Sequence, residues 1–290
     1  MPMEIATPAR ASMLMCRPDH YGIHYEINRW MHKEIPADPV RAVRQWRNLR
    51  AAVADLPGVE VVEVAPVADL PDMVFTANGG LHVDHRVVVG TFRYPERRGE
   101  TPNFHRWFAD HGWEAIVPPE GQFLEGAGDV VRTARGWIAG YPQRSNPAAH
   151  RWLATVLDDP VLSLELVDPR YYHLDTCLVV LGEESAAYAP DAFDQYGRRV
   201  LAARFPDLIA VEGDEAERFG CNLVAWARHA ILPSATPRLQ AALRERGWHL
   251  AEVEVDEYIK SGGAARCLVL TLPVDGTVVG GLAPTPQGRG

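Results

Sequence analysis

The chain has 290 residues, 47% hydrophobic and 23% charged, with a formal net charge of −9. That is the composition of a soluble globular protein with a sizeable core, and an acidic balance without a basic stripe argues against a nucleic-acid partner. No apolar run approaches the roughly 20 residues that span a bilayer, and the opening MPMEIATPARASM lacks the basic start and apolar centre of a signal peptide, so a cytoplasmic location is expected.

In chain order, the first patterned segment is ASMLMC, a short apolar strand at residues 11–16. A helix is predicted over 39–55, followed by the strand VEVVEVAP. The chain then repeats one theme. The candidate hairpin MVFTANGGLHVDHRVVVGTF leads to a helix at 99–111 and the strand WEAIVPP. GDVVRTARGWIAGY leads to a helix at 145–157 and LSLELVD. LDTCLVVLGEESAAYA leads to a helix at 191–204 and LIAVEG, and CNLVAWARHAILP to a helix at 236–246 and WHLAEVEV. A last hairpin, CLVLTLPVDGTVVGGL, has no helix after it, and ASMLMC with the first helix and strand completes its unit. The turn signals VDH, ARG, GEES, ARH and PVDG divide the hairpins. Five units of about 45 residues, each with an apolar face to cover, gain stability by stacking and closing on themselves. The prediction is a single α/β domain over 1–290 with five-fold pseudosymmetry.

Polar residues recur where each strand hands over to the next hairpin. They are Asn78 in FTAN, Glu125 with Asp129 in LEGAGD, His173 with Asp175 in YYHLDT, Asn222 in FGCN and Cys267 in GGAARC. In a closed ring these positions converge on the central axis. A second echo is that Arg97 in YPER follows Asn78 by nineteen positions, and Arg144 in YPQR follows Glu125 by nineteen. Two arginines thereby occupy equivalent places in adjacent units.

The four cysteines form no disulfide framework, and none lies in a CxxC pair. Cys16, Cys177 and Cys221 touch apolar runs and read as buried thiols. Cys267 follows SGGAAR, small residues that leave room beside it. A nucleophilic cysteine needs a proton-carrying partner and a group to orient that partner. His173 carries protons near neutral pH, and Glu125 or Asp175 can hold its imidazole. Glu125, Asp129 and Asp175 make the pocket anionic, which suits a planar cation taking paired hydrogen bonds. Arg97 and Arg144 suit a carboxylate at the other end, and a guanidinium joined to a carboxylate describes arginine or a derivative. A metal site from His173 and Cys177 is disfavoured, because positions four apart on a strand are well separated.

With EGAGD, HLD and a late cysteine after a glycine-rich loop, the chain from CRPDHYGIHYEIN to Cys267 resembles the guanidino-modifying enzymes of the pentein superfamily. These are the arginine deiminases, arginine dihydrolases, dimethylarginine dimethylaminohydrolases and glycine amidinotransferases. The resemblance implies a five-bladed α/β propeller of ββαβ units and covalent catalysis with neither metal nor organic cofactor. It implies Cys267 as nucleophile, His173 as acid and base, Glu125 as its orienting group and Asp175 as guanidinium ligand. Arg97 and Arg144 would clamp the carboxylate. Asn78, Asp129, Asn28 at the end of CRPDHYGIHYEIN, and Asn222 complete the expected substrate-binding set. Where deiminases and dimethylargininases carry a second substrate aspartate, this chain has Asn78, as arginine dihydrolases do. The expected activity is therefore hydrolysis of arginine through citrulline to ornithine, carbon dioxide and ammonia. Dimethylarginine hydrolysis to citrulline and methylamines is the alternative, followed by amidino transfer or a non-catalytic binding role. A small-molecule substrate is expected, with neither nucleic acid nor membrane as partner. A homo-oligomer is compatible with the resemblance, since many relatives self-associate.

Overall fold

Each repeat unit closes into its own small sheet. The computed structural model describes residues 10–273, and among them lie five three-stranded sheets. In each, a middle strand pairs antiparallel with one neighbour and parallel with the strand that returns after a helix. Gly80–Val83, Arg86–Val89 and Glu114–Ile116 form the first, with helix Glu100–Asp110 as the crossover. Val130–Thr133, Gly136–Tyr141 and Val161–Glu165 form the second, with helix Pro147–Leu157. The third is Leu178–Val180, Ser185–Tyr188 and Asp207–Ala210 with helix Gln195–Arg204. The fourth is Val224–Trp226, His229–Pro233 and His249–Val253 with helix Pro237–Glu245.

The fifth sheet joins the two ends of the described chain. Ala11–Cys16 pairs antiparallel with Leu270–Pro273 and parallel with Val59–Val64, and helix Pro39–Ala54 makes the crossover. ASMLMC thus completes the last unit as expected. The predicted arm TVVGGL and most of the PVDG turn lie outside the described residues.

Local chemistry sets the helix starts. Asp38 accepts hydrogen bonds from the N–H groups of Val40 and Arg41, and Pro39 occupies the first turn, where its missing N–H loses nothing. Asn146 caps the Pro147 helix through Ala149 N at 2.9 Å, and Asp194 caps the Gln195 helix through Gly197 N at 2.7 Å. This last cap explains why the helix predicted from 191 begins at Gln195. Pro190–Ala192 instead forms a separate 3-10 turn ahead of it. Ala42, Trp46, Leu49 and Val53 recur at helical spacing and face the core. Phe104 and Phe108 do the same one unit on, and the Phe104 ring fills the space beside Gly79 where a Cβ would sit 2.6 Å away. Truncating Phe104 to alanine would cost about 3–5 kcal/mol. No helix among the described residues is long and apolar enough to cross a membrane.

The hand-over segments meet at the centre, and hydrogen bonds run from unit to unit around it. Ala77 N–H donates to the Cys267 carbonyl at 3.1 Å, and Arg266 N–H to the Asn222 carbonyl at 3.1 Å. Asn222 Nδ2 reaches the Asp175 carbonyl at 3.0 Å, and Leu174 N–H reaches Asp129 Oδ1 at 3.1 Å. Asn78 Nδ2 lies 3.5 Å from the Glu125 carbonyl and returns the circuit to its start. The crowding explains EGAGD. Gly126 has φ +58°, and a Cβ there would come within 2.9 Å of three carbonyl oxygens, those of Ala77, Asn78 and Gly80. Only glycine fits.

Candidate active site

Cys267 is buried, and its side chain is held from two sides. Asn222 Nδ2 lies 3.1 Å from Sγ, and the two carboxylate oxygens of Asp175 lie 3.6 and 3.5 Å from it. Asn222 Oδ1 meanwhile accepts from Ala264 N and Cys267 N, both at 3.1 Å. An amide has two donors and two acceptor sites, so all four positions of Asn222 are taken by the protein. Asn222, expected as a substrate contact, here holds the loop that carries Cys267.

Two residues before Asp175, the imidazole of His173 meets Glu125 Oε2 at 2.7 Å through Nε2. Among the described residues the other nitrogen, Nδ1, has no hydrogen-bond partner although it is buried. With Nε2 fixed by the carboxylate, Nδ1 is the position free to give or take a proton. Burial works against ionising Glu125, but Arg144, His173 and Arg97 outweigh it and hold its pKa at about 2. The nineteen-residue echo resolves here. Arg144 Nη1 and Arg97 Nη1 approach the same Oε2 atom, at 3.2 and 3.8 Å.

Cys267 and Asp175 show the opposite electrostatics. Burial, and then the neighbouring Asp175 charge, push the Cys267 thiol well above its usual range. Asp175 borders a cavity otherwise lined largely by apolar residues such as Val131, Leu178 and Leu223. Burial raises its carboxyl to about 7, opposed chiefly by Arg266. A cation placed against Sγ and the carboxylate would favour both anions at once.

The remaining expected positions divide by what they touch. Asp129 is buried, and its oxygens are engaged by Ser145 Oγ at 2.6 Å, Ser145 N at 3.1 Å and Leu174 N at 3.1 Å. It fixes the backbone beside His173, and Ser145 Oγ in turn receives Glu125 N–H at 3.0 Å. Asn28 donates to the Ser261 carbonyl at 3.0 Å and accepts from Trp30 N and Met31 N, so it ties its loop to the segment before Cys267. Expected as substrate ligands, both are engaged within the protein. Arg144 lies between the Tyr94 and Tyr172 rings, 4.8 and 4.6 Å from their centroids, and donates to the Ile27 carbonyl at 3.1 Å. Arg97 is bound by Glu100 through Nε at 2.7 Å and Nη2 at 2.9 Å, and donates through Nη1 to Asn78 Oδ1 at 3.0 Å.

The glycines before Cys267 also have a different reason from the one expected. A Cβ on Gly263 would lie 2.4 Å from the Phe75 ring, and one on Gly262, at φ +83°, would lie 2.7 Å from Tyr172. Aromatic rings fill the space read as room for substrate. Ser145, Tyr172 and Glu100 went unnoticed in the sequence. Each has a usable signal only in retrospect: Ser145 directly follows Arg144, Tyr172 precedes His173, and Glu100, opening its helix, stands three residues after Arg97, the last residue of the 3-10 turn Pro95–Arg97.

These pKa shifts predict how stability depends on pH. Asp175 and Glu100 are raised by burial to about 7 and Asp129 to about 6, from ordinary values of 3.8, 4.5 and 3.8. Between the ordinary and raised values the native protein holds protons that the unfolded chain has released. Taken alone, these three carboxyls make stability fall as pH rises from about 5 to 7, while buried His82 and His150, lowered by burial from 6.5 to about 4, make it rise between about 4 and 6.5. Glu125 acts oppositely to those carboxyls, contributing stability above its ordinary 4.5 that is lost as pH falls toward about 2. Urea titrations from pH 5 to 8 on the unmodified and Asp175→Asn proteins isolate this carboxyl: the variant should gain stability relative to the unmodified protein as pH rises, and a constant difference would contradict the raised Asp175 assignment.

A family model described as N,N dimethylarginine dimethylhydrolase, eukaryotic, matches residues 25–274. The chain is 41% identical over 263 residues to the bifunctional arginine dihydrolase/ornithine cyclodeaminase of Synechocystis, a match covering 89% of this chain and 37% of that protein. The chain thus spans little more than a third of that relative's length. It is 38% identical over 266 residues to the N(G),N(G)-dimethylarginine dimethylaminohydrolase of Mycobacterium tuberculosis, covering 92% of this chain and 87% of the other. Among solved structures, the N-terminal domain of a cyanobacterial arginine dihydrolase, a cysteine-to-serine variant bound to substrate, superposes with a TM-score of 0.86 at 39% identity. That match covers 90% of this chain and 97% of the domain. The chain belongs to the dimethylarginine dimethylhydrolase family, among the guanidino-modifying enzymes of the pentein superfamily.

Proposed function

We propose that the chain is a cysteine-dependent hydrolase of the guanidinium C–N bonds of arginine, working as an arginine dihydrolase. The observation that carries this reading is the buried cluster of Cys267 Sγ, the Asp175 carboxylate and the His173–Glu125 pair, with imidazole Nδ1 unengaged. The guanidinium of arginine binds against Asp175, and its positive charge favours the thiolate that burial otherwise suppresses. The Cys267 proton passes to His173 Nδ1, and Sγ forms a bond to the guanidinium carbon. A C–N bond then breaks, and the same proton leaves with ammonia. Nδ1 next takes a proton from water, the hydroxide adds to the thiouronium carbon, and the C–S bond breaks to give citrulline.

Asn78 carries the reaction further. Citrulline presents a neutral ureido oxygen, which a carboxylate would repel and an amide NH₂ binds. A mismatched buried polar contact costs about 1–3 kcal/mol, enough to decide between release of citrulline and a second attack. The second round gives a carbamate that falls apart, so arginine and two waters become ornithine, carbon dioxide and two ammonia. Arg144, stacked between tyrosines, supports binding of the substrate carboxylate.

Product analysis after incubation with arginine tests this reading. Two ammonia and one ornithine per arginine are expected, and Asn78→Asp should stop largely at citrulline. Stoichiometric citrulline from the unmodified protein, or turnover of methylated arginines alone, would replace this reading with a dimethylargininase. The 38% identity to the mycobacterial dimethylarginine dimethylaminohydrolase favours that second reading.

A further inference from the structure

One cavity of the fold lies on the central axis, and residues of opposite charge share it. It measures about 80 Å³ and is walled by side chains from four of the five sheets, among them Val131, Leu178, Val224 and Thr271. Asp175 borders it, and so does Arg266, the residue before Cys267. Arg132 lines it too but is exposed, so water and salt screen its charge.

Arg266 is held in place by neutral partners. Its backbone N–H donates to the Asn222 carbonyl at 3.1 Å, and Nη1 donates to the Val269 carbonyl at 2.7 Å and to Thr271 Oγ1 at 3.5 Å. Among the described residues no carboxylate is in ion-pair contact with it. A guanidinium does not lose its proton in a protein, and a charge held away from water needs an opposite one. Among the described residues lining the cavity, Asp175 is the only carboxylate. Between apolar walls the two charges act on each other at longer range than in water.

The other groups around Asp175 bring it no positive charge. Cys267 Sγ lies 3.6 and 3.5 Å from its oxygens, and the buried thiols of Cys177 and Cys221 act from the end of its own turn and from the cavity wall. The imidazole of His173 is taken by Glu125 through Nε2. Burial raises the Asp175 carboxyl to about 7, and Arg266 is the chief opposing charge. A carboxyl balanced at that point changes state with one neighbouring charge.

From this shared cavity we infer that Arg266 is a positioning residue for Asp175, whose carboxylate it keeps ionised in the empty site, so that a guanidinium meets an anion on arrival. The inference rests on the proposed reading of Asp175 as the group that binds the guanidinium. It applies to arginine and to methylated arginine alike.

The test is the titration of the Asp175 carboxyl itself, followed by carbon-13 resonances in Cys267→Ser protein carrying labelled aspartate, where no thiol titrates against its oxygens. Loss of the signal in Asp175→Asn assigns it. Arg266→Gln removes the charge but keeps a donor for the Val269 carbonyl, and Arg266→Met removes both. Each should move the midpoint up by about one unit or more, which is about tenfold in the ionised fraction, while Arg266→Lys should hold it within about half a unit. Calorimetry with L-arginine on the same proteins reads the consequence. Arg266→Gln should bind arginine about tenfold more weakly at pH 6 and nearly normally at pH 9, where Asp175 is ionised with or without Arg266. A midpoint that stays in place in both neutral variants would overturn the inference. So would a loss of affinity equal at every pH, which is what a purely structural role gives. Neither readout involves turnover, so release of citrulline alone would overturn the dihydrolase reading and leave both unchanged. If arginine is not bound at all, the proposed function falls and the carboxyl midpoint still decides the inference.

Discussion

Replacing Cys267 with serine should lower turnover of arginine by at least about a thousandfold while leaving its affinity within a few-fold of the unmodified protein. The side chain occupies a site that fixes it rather than merely covering it. Asn222 binds both its Sγ and its N–H, and Asp175 lies against the sulfur. A serine hydroxyl fits the same hydrogen bonds but is a far weaker nucleophile without a base directly on it. Cys16, Cys177 and Cys221 are also buried, and burial raises all three thiols, yet among the described residues none hydrogen-bonds the Asp175 or Asn222 side chain. Their alanine variants should keep kcat and lose at most modest stability. Steady-state kinetics on the four variants, together with mass mapping of haloacetamidine labelling, checks the assignment. A serine variant within tenfold of full activity, or a label on another cysteine, would remove Cys267 from the reaction.

Glu125→Gln should be comparably severe and should also destabilise the fold. One carboxylate receives His173 Nε2, Arg144 Nη1 and the Arg93 N–H, with Arg97 close by. Glutamine offers one oxygen and an NH₂, so at least one present donor meets another donor. Removing the charge also takes from buried Arg144 the carboxylate it pairs with, while Arg97 keeps Glu100, and breaking such a buried pair costs about 3–5 kcal/mol. The imidazole loses the acceptor that keeps its proton on Nε2. Exchanging the orienting acid of a Ser-His-Asp triad lowers turnover roughly ten-thousandfold by this route, and a loss of 10³-fold or more in kcat is expected here. Thermal denaturation measures the first effect and kcat the second. Nitrogen chemical shifts of His173 should report a changed tautomer. A glutamine variant with near-normal kcat would show that His173 is oriented by something else.

Much of this architecture was legible because it is periodic. Helices at Pro39–Ala54, Glu100–Asp110, Pro147–Leu157 and Pro237–Glu245 fall within two residues of their expected bounds, since apolar spacing and caps are local. The turns that present the chemistry read only as polar or glycine-rich loops. Thr76–Gly79, Gly126–Asp129 and Leu174–Thr176 are single helical turns, too short for any period to show. Which residues gather at the axis followed from repeat position alone, and the structure brings Asn78, Glu125, His173, Asp175, Asn222 and Cys267 together there. What each side chain does was less visible. Asp129 and Asn28 look like ligands in a sequence, and the structure shows them engaged by Ser145, Leu174, Trp30 and Ser261. A polar residue's partner is set by three-dimensional proximity, which no local pattern encodes.

The sheet that joins Ala11–Cys16 to Leu270–Pro273 puts an order on folding. Leu14 finds Leu270 only after nearly the whole described chain exists, so this contact has the longest loop to close. The strand that follows Cys267 is anchored by that late pairing, whereas His173 and Glu125 belong to units complete much earlier in synthesis. A growing chain can therefore bring His173 to Glu125 before Cys267 is held against Asp175. The contact between Cys267 and Asp175 is completed last, when the first strand is joined by the final described one.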